Sequence, residues 1–330
     1  MRLASIKFNS KCSVVAEIDE QYLIDIEHLL ADTAPPIISM LDLLEQGEEF
    51  LATLRSSFHT KKSTLDKALL IDKSKVTWLP PVTRPGKICG VAMNNSASNE
   101  RKISAPSHPA FFLKPASSLL GHEETLEIRK YYGSVHPEPE LAIVIGTEMK
   151  DIDAANAMKY IGGYSIFNDV TGNGMRAEDL FQYWAIYADA NDNNKTSRIE
   201  QHLSYAGRYK GTDNFGILGP WLVTKDEIPN PDDLAVSCSV GGEVIAEDST
   251  RYYNYKVAEI LSFISQFQTL HPGDIVSCGT AFKPSETRKS IHNANFQVVD
   301  GPISISIEGL GTQDNPVRVS DRAIGQWKLK

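Results

Sequence analysis

Glu138 and Glu140 stand one residue apart in "HPEPEL", each preceded by a proline, directly ahead of the apolar run "LAIVIG". In an extended chain residues i and i+2 share a face, which sets their β-carbons about 6–7 Å apart. Carboxylates that close resist double ionisation unless solvent, a lysine or a divalent cation lies between them. A third carboxylate, Asp169, follows 29 residues after Glu140, between the apolar "YIGGYSIFN" and the glycine-rich "VTGNG". That span admits a strand, a helix over "DAANAMKYI" and a returning strand. Three carboxylates at strand ends make an all-oxygen donor set, suited to Mg2+, Mn2+ or Ca2+ and not to zinc. They would leave about half an octahedron for water and a chelating ligand such as a 2-oxo acid. Two other readings stay open on spacing alone: a solvated edge strand, which the prolines suit, and a glycosidase-type carboxylate pair. His136, two residues before Glu138, shares its strand face and is a candidate for contact with the substrate or with the carboxylates.

The surrounding sequence has to hold these side chains in place. Residues 1 to about 30 alternate in short runs such as "CSVVAEI" and "QYLIDI", which predicts strands. A helix is predicted over "IISMLDLLEQGEEFLATL", with Ile38, Leu41, Leu44 and Leu54 near a 3.6 period. Another is predicted in "VAEILSFISQFQTLHPGD", with Val257, Ile260, Leu261, Ile264 and Phe267 on one stripe and a stop at Pro272 and Gly273. "IVSCGT" reads as a buried strand, and alternation of Ile303, Ile305 and Ile307 as a half-buried one. Strands outnumber helices and do not alternate regularly with them, so the expected class is α+β with a mainly β core. Proline-rich "LPPVTRPGK", residues 79–87, is the predicted boundary between a small N-terminal domain (1–78) and a catalytic domain (79–330).

Composition narrows the partners. The 330 residues are 42% hydrophobic and 23% charged, ordinary values for a globular protein. A formal net charge of −9 without any basic block argues against nucleic acid. No apolar run approaches the ~20 residues of a spanning helix, so no membrane partner is expected. The N-terminus reads as a strand pair and not as a signal segment. Cys12, Cys89, Cys238 and Cys278 show no CxxC spacing, which fits reduced thiols and a cytoplasmic location. GxGxxG, GxxxxGK[ST], HExxH and GxSxG are absent, which points away from nucleotide, zincin and serine-hydrolase chemistry.

"HPEPELAIVIG", "IGGYSIFNDVTG", "GRYKGTDNFGILGPWLVTKDEIPNP" and "TLHPGDIVSCGT" resemble, in order and spacing, the fumarylacetoacetate hydrolase family over about residues 85–318. The resemblance implies a β-roll or β-sandwich core, usually in a homodimer, with one Mg2+ or Mn2+ per subunit, acting on 2-oxo and β-diketo acids. Glu138, Glu140 and Asp169 match the family's metal ligands. Lys114 in "FFLKPASSLL", Lys210 in "RYKGTD" and Thr280 in "CGT" match positions that line the substrate or support the metal. Lys114, Lys210 and His136 are thus the expected catalytic residues, and Thr280, Tyr164 and Ser96 the expected substrate contacts.

The chain also departs from the family's pattern. Hydrolytic members carry a glycine-x-asparagine-tyrosine-x-x-histidine-x-x-glutamate lid whose histidine and glutamate activate water. In "GVAMNNSASNE", residues 90–100, Ser96 falls at the histidine position and Asn99 at the glutamate position. A serine cannot take a proton at neutral pH, so the water-activating pair is missing. The small, polar stretch 92–109 is expected to be a mobile lid. Asn173 and Gly174 replace the usual arginine–aspartate, unless Arg176 and Asp179 substitute. The 41 residues from Asp169 to Lys210 include an extra loop or hairpin whose Tyr183, Trp184 and Tyr187 are expected to cover the pocket. Ala281 stands where hydrolases generally have proline. The leading expectation is a metal-dependent C–C hydrolase of an acylpyruvate-type acid. A lyase (dehydratase or decarboxylase) acting on a 2-oxo acid such as a 2-keto-3-deoxy sugar acid is the alternative, and a non-catalytic binding protein the third reading.

Overall fold

The computed structural model describes residues 1–31, 34–284 and 290–325. Eleven strands carry the argument, beginning with β1 (Arg2–Phe8), β2 (Lys11–Glu17), β3 (Ile88–Ala92) and β4 (Ala110–Lys114). Next come β5 (Pro139–Ile145), β6 (Ile161–Asp169), β7 (Leu180–Ala188) and β8 (Thr196–Ser204). β9 (Gly216–Leu218), β10 (Leu222–Thr224) and β11 (Ile275–Thr280) complete the set. A single large sheet runs β2-β1-β10-β6-β5-β11-β3-β4, with β9 hydrogen-bonded to β6 off this path. The class is α+β, with strands dominating.

The site is built on β5, β6 and β11. All seven residues of β5 and all nine of β6 are buried, as their β-branched and aromatic content favours. Their antiparallel register sets Pro139 opposite Asn168 and Glu140 opposite Phe167, and the Asp169 N–H donates to the Glu138 carbonyl at 3.0 Å. On the other side of β5, Glu140 is the partner of Thr280 on β11. The pleat therefore turns Glu138, Glu140, Asp169 and Thr280 to one face.

The N-terminal strands join this sheet, because Leu3 of β1 pairs with Leu222 of β10. Residues 1–58 supply most of a hydrophobic cluster that also takes in Val82, Val144 and Leu222. The helical pattern divides into α1 (Met40–Glu45) and α2 (Gly47–Lys61), which bury Met40, Leu43, Leu44, Leu51, Leu54 and Phe58. Ser39 caps α1 after Ile38, which stays 71% exposed, and the pattern breaks where Gln46 caps the end of α1 and Gly47 (φ +81) opens α2. α3 (Asn173–Glu178) follows Asp169, and α4 (Val257–Phe267) buries Val257, Ile260, Leu261 and Ile264. Phe267, the fifth residue of the predicted stripe, is exposed at the end of α4. Among the described residues no helix is long and apolar enough to cross a membrane. All four cysteines are free thiols.

β7 and β8 form a two-stranded hairpin paired through nine rungs, from Leu180↔Ser204 to Ala188↔Thr196. The extra segment is thus a hairpin, but Tyr183, Trp184 and Tyr187 do not line the cavity described below. Strand alternation sends Tyr183 and Tyr187 to one side and Trp184 to the other, and all three are exposed.

Candidate metal centre and its cavity

One oxygen from each of Glu138, Glu140 and Asp169 lies within 4.8 Å of the others, and Glu138 and Asp169 line a cavity of about 360 Å³. Octahedral oxygens around a hard cation at about 2.1 Å stand about 3 Å apart when cis and 4.2 Å when trans, so modest tightening would complete three ligand positions. The side chains are held before any ion arrives. Thr280 Oγ1 donates to Glu138 Oε2 at 3.1 Å and lies 3.3 Å from Glu140 Oε1. Ser277 Oγ and the Gly279 N–H (3.0 Å) both donate to Glu140 Oε2. Gly279 has φ +101, and a Cβ there would come within 2.8 Å of Asn94 Cβ, so a side chain is excluded twice over.

The two lysines occupy different layers. Lys210 lines the cavity and bridges two carboxylates, donating to Glu138 Oε2 at 2.7 Å and to Asp169 Oδ2. Lys114 sits behind Asp169 with no exposed side-chain surface. Its ammonium donates to Asp169 Oδ1 at 2.6 Å, to the Phe215 carbonyl at 3.0 Å and to the Lys210 carbonyl. Three acceptors use all three of its protons, so Lys114 holds Asp169 and offers nothing to a ligand.

Charge explains why a cation fits. Three carboxylates face Lys210, which is kept protonated, and Lys114, whose pKa burial lowers against the pull of Asp169, so negative charge is left over in a buried place. Glu140, which touches neither lysine, bears the consequence: burial first, then the charges of Asp169 and Glu138, push its pKa up to about 8. Burial also works against ionised Glu138, but the Lys210 ammonium outweighs it and holds that carboxyl at about 2. Lys210 is kept protonated, its burial outweighed by Asp169, Glu138 and Glu140. A divalent cation would supply the missing positive charge.

A pH dependence follows. Below about pH 8 Glu140 holds a proton in the ion-free site, whereas ligation requires the carboxylate. Cation binding at pH 7 should therefore release about one proton, and affinity should rise up to about tenfold per pH unit before levelling near pH 8. Calorimetric titration with Mn2+ in buffers of different ionisation enthalpy measures the release; none at pH 7 would contradict the account.

His136 is fully buried and does not line the cavity. Its Nδ1 faces the Pro137 carbonyl at 3.1 Å, so Nδ1–H donates and Nε2 accepts from Asn173 Nδ2 at 3.0 Å. Burial, with Glu138 opposing, keeps the imidazole neutral down to about pH 4. In place of the expected catalytic contact, His136 props Asn173, which does line the cavity. Tyr164, expected to touch substrate, lies in the hydrophobic core. It is five residues from Asp169, an odd separation on a strand, and so faces the opposite side of β6. Ser96 is exposed at the start of the 3-10 turn Ser96–Arg101 and does not line the cavity; Ser98 and Arg101 from the same turn do. Ser96→Ala should change turnover by less than about threefold, against the ~10²–10⁴ of a lost general base, as a steady-state assay would read.

The base of the expected lid is anchored by polar contacts. Asn94 Nδ2 donates to the carbonyls of Cys278 (2.7 Å) and Tyr255 (3.1 Å), and Asn95 Nδ2 to Asp248 Oδ2 at 2.6 Å. Asp179, the other suggested substitute, pairs with Arg208 at 2.9 Å, whereas Arg176 lines the cavity. Sequence reasoning missed His292, which also lines the cavity and packs with its ring centroid 4.5 Å from that of His136, the planes tilted by 35°. Burial and the charges of Arg101 and Arg176 lower its pKa against the pull of Glu138, leaving a neutral imidazole at pH 7.

Residues 87–318 match the family described as fumarylacetoacetate (FAA) hydrolase C-terminal. The mitochondrial oxaloacetate tautomerase of Bos taurus is 33% identical over 243 residues, 73% of this chain and 68% of that protein. Among solved structures, 5-carboxymethyl-2-hydroxymuconate delta-isomerase from Mycobacterium smegmatis is similar with a TM-score of 0.65 and 25% identity, covering 98% of this chain and 100% of that one. Maleylpyruvate hydrolase from Sphingobium sp. SYK-6, solved with manganese (II) ion and pyruvate, shares the fold with a TM-score of 0.70 at 23% identity, covering 97% and 99% of the two chains. By this match over most of its length, the chain belongs to the fumarylacetoacetate hydrolase family.

Proposed function

We propose that this protein is a divalent-cation-dependent enzyme that moves a proton between the enol and keto forms of a small 2-oxo acid. One observation carries the reading: the cavity joins converging carboxylates to a protonated lysine but, among the described residues, lacks the water-activating pair of the hydrolases. Ser96 faces solvent, and the Asn99 side chain is tied to Asn254 at 2.9 Å. The tautomerase and isomerase among its relatives support the same chemistry. Mg2+ or Mn2+ held by Glu138, Glu140 and Asp169 would supply Lewis-acid polarisation of the 2-oxo oxygen. Lys210, kept protonated, is placed to stabilise charge that develops on that oxygen. The neutral His292 imidazole takes the proton from carbon and returns it to oxygen.

The test is incubation in D2O with Mg2+ or Mn2+ and a panel of oxaloacetate, acylpyruvates and 2-keto-3-deoxy acids, followed by NMR and mass. Deuterium entering C3 without cleavage is the expected result; exchange no faster than with the ion alone would sink the reading. A second reading, C–C hydrolysis of an acylpyruvate, is favoured by His292, because a neutral imidazole can also deprotonate water. It would appear as two acids, and lyase action as loss of water or carbon dioxide. We extend the proposal to a homodimer, supported by the exposed apolar residues of the β7–β8 hairpin. Sedimentation at two protein concentrations checks it.

A further inference from the structure

Asn173 and Gly174, the two residues that open helix α3, lie against the segment that carries His136. A Cβ on Gly174 would come within 2.4 Å of the Tyr132 carbonyl oxygen and 2.7 Å of Gly133 Cα, so only glycine allows this approach. The Gly174 N–H donates to the Ser134 carbonyl at 3.0 Å, and His136 and Thr171 exchange backbone hydrogen bonds of 3.1 and 3.0 Å. At that range Asn173 Nδ2 reaches His136 Nε2 at 3.0 Å.

The histidine decides which end of the amide faces the cavity. His136 is fully buried, and its Nδ1–H is committed to the Pro137 carbonyl, which can only accept. Nε2 therefore offers a lone pair, and Glu138 Oε1, 3.9 Å away, is too far to take a hydrogen from it. That lone pair holds the Asn173 amide NH2 and turns Oδ1 the other way. Asn173 lines the cavity whereas His136 does not, and among the described residues no donor meets Oδ1. An amide oxygen is an uncharged acceptor, so it selects for a hydroxyl. The enol form of a 2-oxo acid carries one, and the keto form has no hydrogen on that oxygen. We propose that Asn173, oriented by His136, accepts from the enol hydroxyl and so holds the enol form in preference to the keto form. Asn173 is then a specificity-determining contact and His136 a positioning residue one layer behind it. This rests on the enol–keto reading of the same cavity and adds how the chain tells the two forms apart.

Binding to the Mg2+-loaded protein tests the contact, with lactate as the hydroxyl-bearing probe and pyruvate as its oxo counterpart. Asn173→Leu should weaken lactate by about three- to tenfold, the worth of one neutral hydrogen bond, and pyruvate by less than about twofold. His136→Phe keeps a ring but gives the amide nothing to hold, so it should cut the lactate-to-pyruvate ratio by a like factor. The double variant should fall no further than Asn173→Leu alone, because the histidine acts only through the amide. Nitrogen NMR of the ion-free parent should show the His136 hydrogen on Nδ1, and Asn173→Leu should shift the Nε2 resonance. Should His136→Phe fail to fold, Asn173→Leu and the spectrum still decide. Equal effects of Asn173→Leu on both probes, or no effect, overturn the proposal, and so does a hydrogen on Nε2. In those outcomes the enol–keto reading stands on its own deuterium exchange. A parent that binds neither acid removes both.

Discussion

Lys114→Met should lower folding stability by about 3–5 kcal/mol, whereas Lys210→Met should fold and lose turnover by about 10²–10³-fold. The two lysines touch the same aspartate, yet their surroundings differ. Lys114 gives its three protons to Asp169 and two backbone carbonyls, and its side chain has no exposed surface. Methionine would fill similar volume but leave Asp169 Oδ1 and both carbonyls unpaired in the interior, with Lys210 alone remaining on Oδ2. Lys210 borders the cavity, so removing it withdraws positive charge from the place where an enolate would form. Urea unfolding and kcat separate the two effects. Unchanged stability with a large loss of turnover in Lys114→Met would move that lysine into the chemistry.

Asp169→Asn should weaken Mn2+ binding by more than about 100-fold and turnover by more than about 10³-fold. Asp169 is the shared partner of both lysines and one of the three converging carboxylates, so neutralising it removes a ligand and leaves two buried ammonium groups with less compensation. A stability loss should accompany the functional one, which makes the paired readout informative. Ion titration of the folded variant is the measurement, and retained Mn2+ affinity would remove Asp169 from the ligand set.

The carboxylate cluster was legible because it depends on simple periodicities. Glu138 and Glu140 share a face by strand alternation, and the span to Asp169 fits an antiparallel return. The same arithmetic, applied to β6, would have set Tyr164 on the opposite face from Asp169. Ser96 and His136 failed for other reasons. A 3-10 turn aims Ser98 and Arg101, not Ser96, into the cavity, and no hydrophobic period announces such a turn. His136 has the right face, but Asn173 stands between it and the cavity, a contact that only tertiary packing creates. His292, Arg101 and Arg176 come from irregular or short segments whose meeting point is set by the sheet beneath them. The α+β class and the strands Ile275–Thr280 and Ile303–Ile307 were readable because burial there follows a regular pattern.

The hairpin has a modular consequence. Leu180 and Ser204 are paired neighbours at its root, so the chain leaves and re-enters the body at nearly one point. Excising residues 181–203 and closing the gap with a two-residue turn demands little rearrangement, and none of the removed side chains borders the cavity. Such a shortened chain should keep its Mn2+ affinity and its product while losing the exposed apolar surface, which dye binding and sedimentation would register. That outcome would make the arm an interchangeable plug, free to drift, lengthen or be replaced without disturbing the chemistry beneath it. The proposed assembly through the arm and the proposed chemistry in the cavity would then be open to separate selection within one chain.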